Sequence, residues 1–293
     1  MKYIEEFKEE LIRQDKSQNT ISGYERDLKD FKIFFQEKAG KEFHPEEIIA
    51  LDIQEYRSYL LNIKKQDVGT INHKLTAMGQ YFKFLVAENI MRENPAAAVK
   101  KIKVQAPTLP GSLDKNIVYR LRREFHREGN KRDICIFELI YNTGVRVSEL
   151  VNIDLDDFDI TDRKGELDIR AGKGMRARSL PLNKDVRNAI LNYLDVRPKG
   201  SCNKLLLGER GPLQRQAINK IIKKYKDRAG LGEYKIAPHT FRHQFAYDLL
   251  DSGEDIVTAA ELLGHSDINV TRRYSLPTKQ DKQAAVEKLV LSR

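Results

Sequence analysis

Between His239 and Tyr274 the chain reads HTFRHQFAYDLLDSGEDIVTAAELLGHSDINVTRRY. His239 and Arg242 form a His-x-x-Arg at the start of a helical pattern, His265 closes a Leu-Leu-Gly-His, and Tyr274 follows nine residues later. Upstream, Arg146 stands in TGVRVSEL just after Gly144, with Glu149 three residues further on. Lys173 stands in a Gly-Lys-Gly that reads as a tight turn. Guanidinium groups can hold phosphate oxygens in a planar fork. Imidazole and ammonium groups can move protons, and a tyrosine hydroxyl can attack phosphorus. The stretch from 239 to 274 reads as half of a site that grips one phosphodiester and attacks it with a tyrosine; Arg146 and Lys173 would complete it.

Each residue also has a plainer reading. Arg146 could be an exposed residue at a helix start, Lys173 a turn lysine, and Tyr274 a half-buried core tyrosine. His265, following Gly264, could simply face a helix C-terminal dipole. His239 and His243 are four apart and could suggest zinc, but Thr240 stands where a metalloprotease helix carries its Glu. No metal and no cofactor are expected. His243 reads as a packing or hydrogen-bonding residue beneath the site. What these separate explanations leave unexplained is the shared order and spacing.

The elements that must position these residues follow from periodicity. Ile4, Phe7, Leu11 and Ile12 give a short amphipathic helix within 2–14. Ser17 and Thr20 offer N-caps for a second, whose face is Tyr24, Leu28, Phe31 and Phe35 and which stops near Gly40. Pro45-Glu46-Glu47 reads as the first turn of a third helix carrying Ile49, Ile53, Tyr56, Leu60 and Leu61. A fourth runs from Thr70 to about Ala87, and Asn94-Pro95 ends the helical unit. Residues 100–113, with three Lys, two Pro and a Gly, read as a basic linker. Beyond it, helices are expected at 115–128, 131–142 and 146–152. Short strands follow at 157–160, 166–170 and 177–182. Then come a helix at 184–196, a strand at 205–207, and a basic helix at 212–229. Helices at 239–251 and 255–263, a short one before Tyr274, and a tail helix at 279–291 complete the chain.

Net charge is +9, and its distribution is uneven. Residues 1–100 carry 16 Lys and Arg against 17 Asp and Glu, whereas residues 101–293 carry 36 against 26. A basic second half suggests a polyanionic partner, nucleic acid first. Two Cys in 293 residues make neither a disulfide framework nor a zinc quartet. No apolar run approaches the ~18 residues of a membrane span, and the acidic start MKYIEEFKEE is not a signal peptide. A cytoplasmic protein with no membrane partner is expected.

The ordered set Arg146, Lys173, His239-x-x-Arg242, His265, Tyr274 resembles the tyrosine recombinase/integrase family, most closely its Xer-type and short transposon-borne members. The resemblance covers nearly the whole chain. Thr240 departs from the acidic residue that many relatives carry there. The implied fold is mainly α with a small β-sheet. A helical, SAM-like core-DNA-binding domain (1–99) is joined by a linker (100–113) to a mixed α/β catalytic domain (114–293), the two forming a clamp on DNA. A further N-terminal arm-binding domain is not expected.

The resemblance also implies roles. Tyr274 is the nucleophile that forms a 3′-phosphotyrosine, and Arg146 and Arg242 hold the phosphate. Lys173 protonates the leaving 5′-oxygen, His239 takes the tyrosyl proton or binds phosphate, and His265 hydrogen-bonds a phosphate oxygen. Glu149 and His243 support them. Weaker candidates for DNA contact are Lys100, Lys101, Lys103, Arg176, Arg178, Arg215, Lys220, Lys223 and Lys224. The implied partner is double-stranded DNA with a specific recombination site. It would be bound by a homo-tetramer on two duplexes, or by a hetero-tetramer with a related recombinase, linked through the tail helix. The expected function is site-specific recombination through a four-way junction. The alternatives are relaxation of supercoils in the manner of a type IB topoisomerase, or non-catalytic DNA binding on the same scaffold.

Overall fold

A computed structural model describes residues 3–103, 112–170, 177–200, 202–265 and 267–275. The chain divides into two compact units, Met1–Pro107 and Thr108–Arg293. Each has its own apolar core. Among the described residues, no helix is long and apolar enough to cross a membrane.

The first unit is helical: α1 (Ile4–Arg13), α2 (Gln18–Ala39), α3 (Ala50–Asn62) and α4 (Val68–Ala87), with 3-10 turns at Pro45–Glu47 and Pro95–Ala98. Ser17 caps α2 and Asp67 caps α4, each side chain accepting the amide of the residue three positions on. Leu28 and Phe31 of the α2 stripe are wholly buried, and the Phe31 ring lies 5.1 Å from that of Tyr56 on α3. The third helix starts later than its Pro-Glu-Glu suggests. Ile48 takes an extended backbone to bury its side chain, and this separates the 3-10 turn from α3. Ile49 then caps α3, its amide donating to Asp52 Oδ2 at 3.0 Å, and its side chain points outward at 58% exposure.

The start of the expected linker is docked to this unit. Asn72 on α4 holds both backbone groups of Ile102, donating to its carbonyl at 2.8 Å and accepting its amide at 2.9 Å. Arg57 on α3 donates to the Lys100 carbonyl at 2.8 Å. Residues 104–111 lie outside the described residues.

The second unit is built around one helix. Its elements are α5 (Lys115–Glu128), α6 (Lys131–Thr143), α7 (Val147–Leu150), strands β1 (Phe158–Ile160), β2 (Gly165–Ile169) and β3 (Arg178–Pro181), and α8 (Lys184–Leu194). A hairpin of β4 (Leu207–Gly208) and β5 (Gly211–Pro212), then α9 (Arg215–Arg228), α10 (Pro238–Asp251), α11 (Ile256–Leu263), α12 (Ile268–Arg272) and a 3-10 turn (Arg273–Ser275) follow. The first three strands form an antiparallel sheet in the order β1-β2-β3. Cys135, Ile136, Phe137, Leu139 and Ile140 bury α6, which packs against α5, α8 and α10. Phe125 of α5 stacks on Tyr225 of α9, and the Tyr225 hydroxyl donates to Asp133 Oδ2 at 3.0 Å. The strand expected at 205–207 is instead the hairpin of β4 and β5, with Leu205 and Leu206 buried ahead of it, so α9 begins only at Arg215. The fold is mainly helical with small antiparallel sheets, as the sequence pattern implies.

α6 stops at Gly144, whose φ of 60° is left-handed. A Cβ there would stand 2.5 Å from Phe245 Cδ1 and 3.2 Å from Leu263 Cδ2. Both the backbone and the packing of α10 and α11 therefore demand glycine. Gly144→Ala should lower the unfolding free energy by about 2–4 kcal/mol, summing left-handed strain and overpacking. Urea unfolding followed by circular dichroism would measure it, and a loss below about 0.5 kcal/mol would contradict this account.

Candidate active site

α11 ends in a Schellman arrangement. The His265 amide donates to the Ala260 carbonyl at 3.0 Å and the Gly264 amide to that of Glu261 at 2.9 Å. Two of the last four helical carbonyls are thereby satisfied, leaving Leu262 and Leu263, with Gly264 just beyond. Each of these three oxygens takes a guanidinium. Arg178 Nε donates to Leu262 at 2.8 Å, Arg242 Nη2 to Leu263 at 2.5 Å, and Arg146 Nη2 to Gly264 at 3.3 Å. Arg242 also donates through Nη1 to the Gly144 carbonyl at the end of α6, at 2.7 Å. The negative ends of two helix dipoles thus hold these arginines. Gly264 itself (φ 65°) lies so close to Arg178 that a Cβ would stand 2.7 Å from its Nη1.

One carboxylate ties two of the guanidiniums together. Glu149, on the short helix α7, accepts Arg146 Nη1 at 2.8 Å and the Arg146 amide at 2.7 Å. From the other side it accepts Arg178 Nη1 at 3.1 Å and Nη2 at 2.9 Å. The side chains of Glu149 and Arg178 are 3% and 7% exposed, whereas that of Arg146 is 31% exposed. Burial works to raise the Glu149 carboxyl, but Arg178 and the Arg146 amide and side chain outweigh it and hold it below the usual carboxylate range. Burial, then Arg146 and Arg178 against the pull of Glu149, pushes Arg242 down to about 9. It remains a cation at neutral pH. Burial and the same three arginines push His265 down to about 4, so its imidazole is neutral, with Nδ1 2.6 Å from the Thr271 hydroxyl.

Tyr274 lies across α10. His239, His243 and Tyr247 are spaced by four and share one face of that helix. The His239 and His243 rings are 5.8 Å apart, and the Tyr247 ring meets the Tyr274 ring edge-on at 5.2 Å. The Tyr274 hydroxyl hydrogen-bonds His243 Nδ1. Burial raises Tyr274 above the usual phenol range although Arg242 opposes it. Burial first, then His239, Arg242 and Arg273, holds His243 below the usual imidazole range.

The structure brings together Arg146, Glu149, Arg242, His243, His265 and Tyr274 around the ends of α6 and α11. His239 stands exposed at the start of α10. Lys173 and Arg176, expected on the turn leading into β3, lie outside the described residues, as does the tail at 279–291. Arg178 is expected among the weaker candidates for DNA contact. It instead lies beneath the site, with its fork turned to Glu149. Lys100, Lys101, Lys103, Arg215, Lys220, Lys223 and Lys224 are exposed, but Lys224 is paired with Glu128 at 3.1 Å. Sequence reasoning missed Thr271 and Tyr247. The i, i+4 spacing of Tyr247 from His243 was a usable signal, whereas nothing local marks Thr271. Among the described residues, no group of three His, Cys, Asp or Glu is placed to hold a metal.

The arrangement sets three arginines and a neutral histidine beside a tyrosine hydroxyl. Residues 112–281 match the phage integrase family and residues 4–89 match the N-terminal SAM-like domain of phage integrases. The chain belongs to the phage integrase family, the tyrosine recombinases, which are DNA strand-exchange enzymes. It is 33% identical over 275 residues to the tyrosine recombinase XerC of Listeria innocua, covering 90% of this chain and 89% of that one. It is 29% identical over 298 residues to the TnP I resolvase of Bacillus thuringiensis, covering 99% and 100%. The XerH site-specific recombinase, solved in a pre-cleavage complex with its difH substrate, shares the fold with a TM-score of 0.74 at 22% identity, covering 91% of this chain and 78% of that one. These relatives do not favour the topoisomerase or non-catalytic readings.

Glu149→Gln should cost roughly 2–4 kcal/mol at neutral pH, because two guanidiniums lose their buried counter-charge. The Glu149 carboxyl is lowered in the folded state. Its contribution is therefore complete above the unfolded value and is lost as pH falls through the folded one. The gap between wild type and variant should narrow as pH drops from about 5 to about 3. Urea midpoints across that range would check it, and a pH-independent gap would contradict it.

Proposed function

We propose that this protein is a site-specific recombinase that cuts and rejoins double-stranded DNA through a 3′-phosphotyrosine on Tyr274. The observation that carries the reading is the convergence of Arg146, Arg242 and His265 on one cradle beside the Tyr274 hydroxyl. In this reading Arg146 and Arg242 bind the non-bridging oxygens of the scissile phosphate and stabilise the charge that builds at phosphorus. Neutral His265 donates to one of those oxygens from Nε2, with the Thr271 hydroxyl donating to Nδ1 to fix that tautomer. His239, exposed at the N-terminus of α10, contacts the phosphate or its neighbour. Lys173 protonates the leaving 5′-oxygen. Glu149 and Arg178 hold the cradle in shape.

Ligation is the reverse attack by a 5′-hydroxyl, and no ATP or metal is needed. The helical unit and the catalytic unit, divided within 100–113, each contact the duplex. Lys100, Lys101, Lys103, Arg215, Lys220 and Lys223 add phosphate contacts that weaken with salt. Two duplexes and four subunits, of this chain alone or with a related recombinase, exchange strands through a four-way junction. The tail at 279–291 links neighbouring subunits. Such a protein works in the cytoplasm, on DNA.

The test uses a nicked suicide substrate carrying the candidate site from the DNA flanking the gene. A covalent protein–DNA adduct should form without metal or ATP. Tyr274→Phe should abolish it while binding DNA normally. Binding without any adduct in the wild type would argue for a non-catalytic role, and an adduct in Tyr274→Phe would remove Tyr274 as the nucleophile.

A further inference from the structure

We propose that His243 is the general base of the cleavage step, taking the proton of the Tyr274 hydroxyl as it attacks and returning it at ligation. This rests on Tyr274 being the nucleophile. Among the described residues, His243 is the side chain that hydrogen-bonds the hydroxyl, through Nδ1. The ring centroids are 5.5 Å apart, and the Tyr247 ring closes the other side of the tyrosine. His239, the histidine of the His-x-x-Arg, sits one turn nearer the start of α10 and is exposed, its ring edge turned to His243. Its position suits contact with DNA.

Among the described residues, the titratable and charged groups set against His243 are His239 and Arg242 on its own helix, His265 after α11, and Arg273 and Tyr274 from the segment after α12. None is a carboxylate. Burial and two flanking cations keep the resting imidazole neutral, with a lone pair to offer. The tyrosine, raised by burial, keeps its own proton until a base takes it.

The step balances. The Oη–H bond of Tyr274 breaks and its proton passes to Nδ1 of His243. The Oη electron pair forms the bond to phosphorus as the bond to the 5′-oxygen breaks. That oxygen takes a proton from the general acid, Lys173 in the reading above. In ligation the 5′-hydroxyl attacks and gives its proton back to the group that supplied it in cleavage, the P–Oη bond breaks, and the His243 imidazolium reprotonates the tyrosine.

The experiment measures single-turnover adduct formation on the suicide substrate. It compares wild type, His243→Gln, His239→Gln and Tyr274→Phe, each also tested for DNA binding. Glutamine at 243 can still hydrogen-bond the hydroxyl but cannot carry its proton. His243→Gln should slow cleavage by about 10²–10⁴-fold with DNA binding unchanged. The fall in wild-type rate at acid pH that reflects His243 protonation should disappear in that variant.

A second arm installs a fluorinated tyrosine at 274, whose phenol is more acidic. It should recover His243→Gln by at least about tenfold and change the wild type far less. A merely structural His243 would leave a defect that phenol acidity does not repair, and that result would overturn the proposal. So would wild-type cleavage by His243→Gln, or recovery by fluorination in His239→Gln alone. An adduct in Tyr274→Phe would instead overturn the nucleophile on which the proposal rests.

Discussion

Three consecutive carbonyl oxygens at the end of α11, those of Leu262, Leu263 and Gly264, each hold a different arginine. The Schellman turn at Gly264 uses the two preceding carbonyls internally, and its left-handed residue turns the chain so that these three face the site. Helix C-termini attract cations because their last carbonyls are unpaired and their dipoles are negative there. Here that general property fixes guanidinium forks that would otherwise repel one another. Glu149 supplies a buried counter-charge and bridges Arg146 to Arg178.

Among the described residues, Glu149 and the carbonyl dipoles compensate the arginines. Burial, with the neighbouring arginines adding to it, lowers Arg242 and holds His265 neutral. In the proposed reading, a phosphodiester entering the cradle would supply a further anion. The donors are already oriented by backbone that belongs to two helix ends, so little reorganisation is needed when charge develops at phosphorus. The packing of α6, α10 and α11 around Gly144 is therefore part of what holds Arg242 in place. A shift there would move the Gly144 and Leu263 carbonyls, and Arg242 with them.

Much of this was legible in the sequence because it is periodic or locally spaced. The helices came from stripes such as Tyr24, Leu28, Phe31 and Phe35. The site came from residues whose order carries a chemical sense: Arg146, Arg242, His265 and Tyr274. What could not be read was decided by partners far along the chain. Arg178 looks like a surface cation in a basic run, and nothing near it announces a buried carboxylate 29 residues earlier. Thr271 is an ordinary residue of a short helix until its hydroxyl meets His265. The start of α3 moved because burial of Ile48 outweighed the helix-starting preference of Pro45-Glu46-Glu47. His243 reads as support from its spacing alone, and only the return of the chain through α12 brings the Tyr274 hydroxyl to its ring.

That return carries a further constraint. A site that both cuts and rejoins must favour neither direction strongly, so the group that accepts the tyrosyl proton must also release it. A histidine paired with a carboxylate, as in many hydrolases, is stabilised as imidazolium and holds its proton. Among the described residues, His243 is set instead among Arg242, Arg273 and two other histidines. In the proposed reaction its imidazolium would be favoured while the phosphate anion sits beside it and disfavoured without that anion. In the proposed reaction, the arginines that would hold the phosphate would thus also govern how readily His243 keeps the proton, and reversibility would follow from that shared environment.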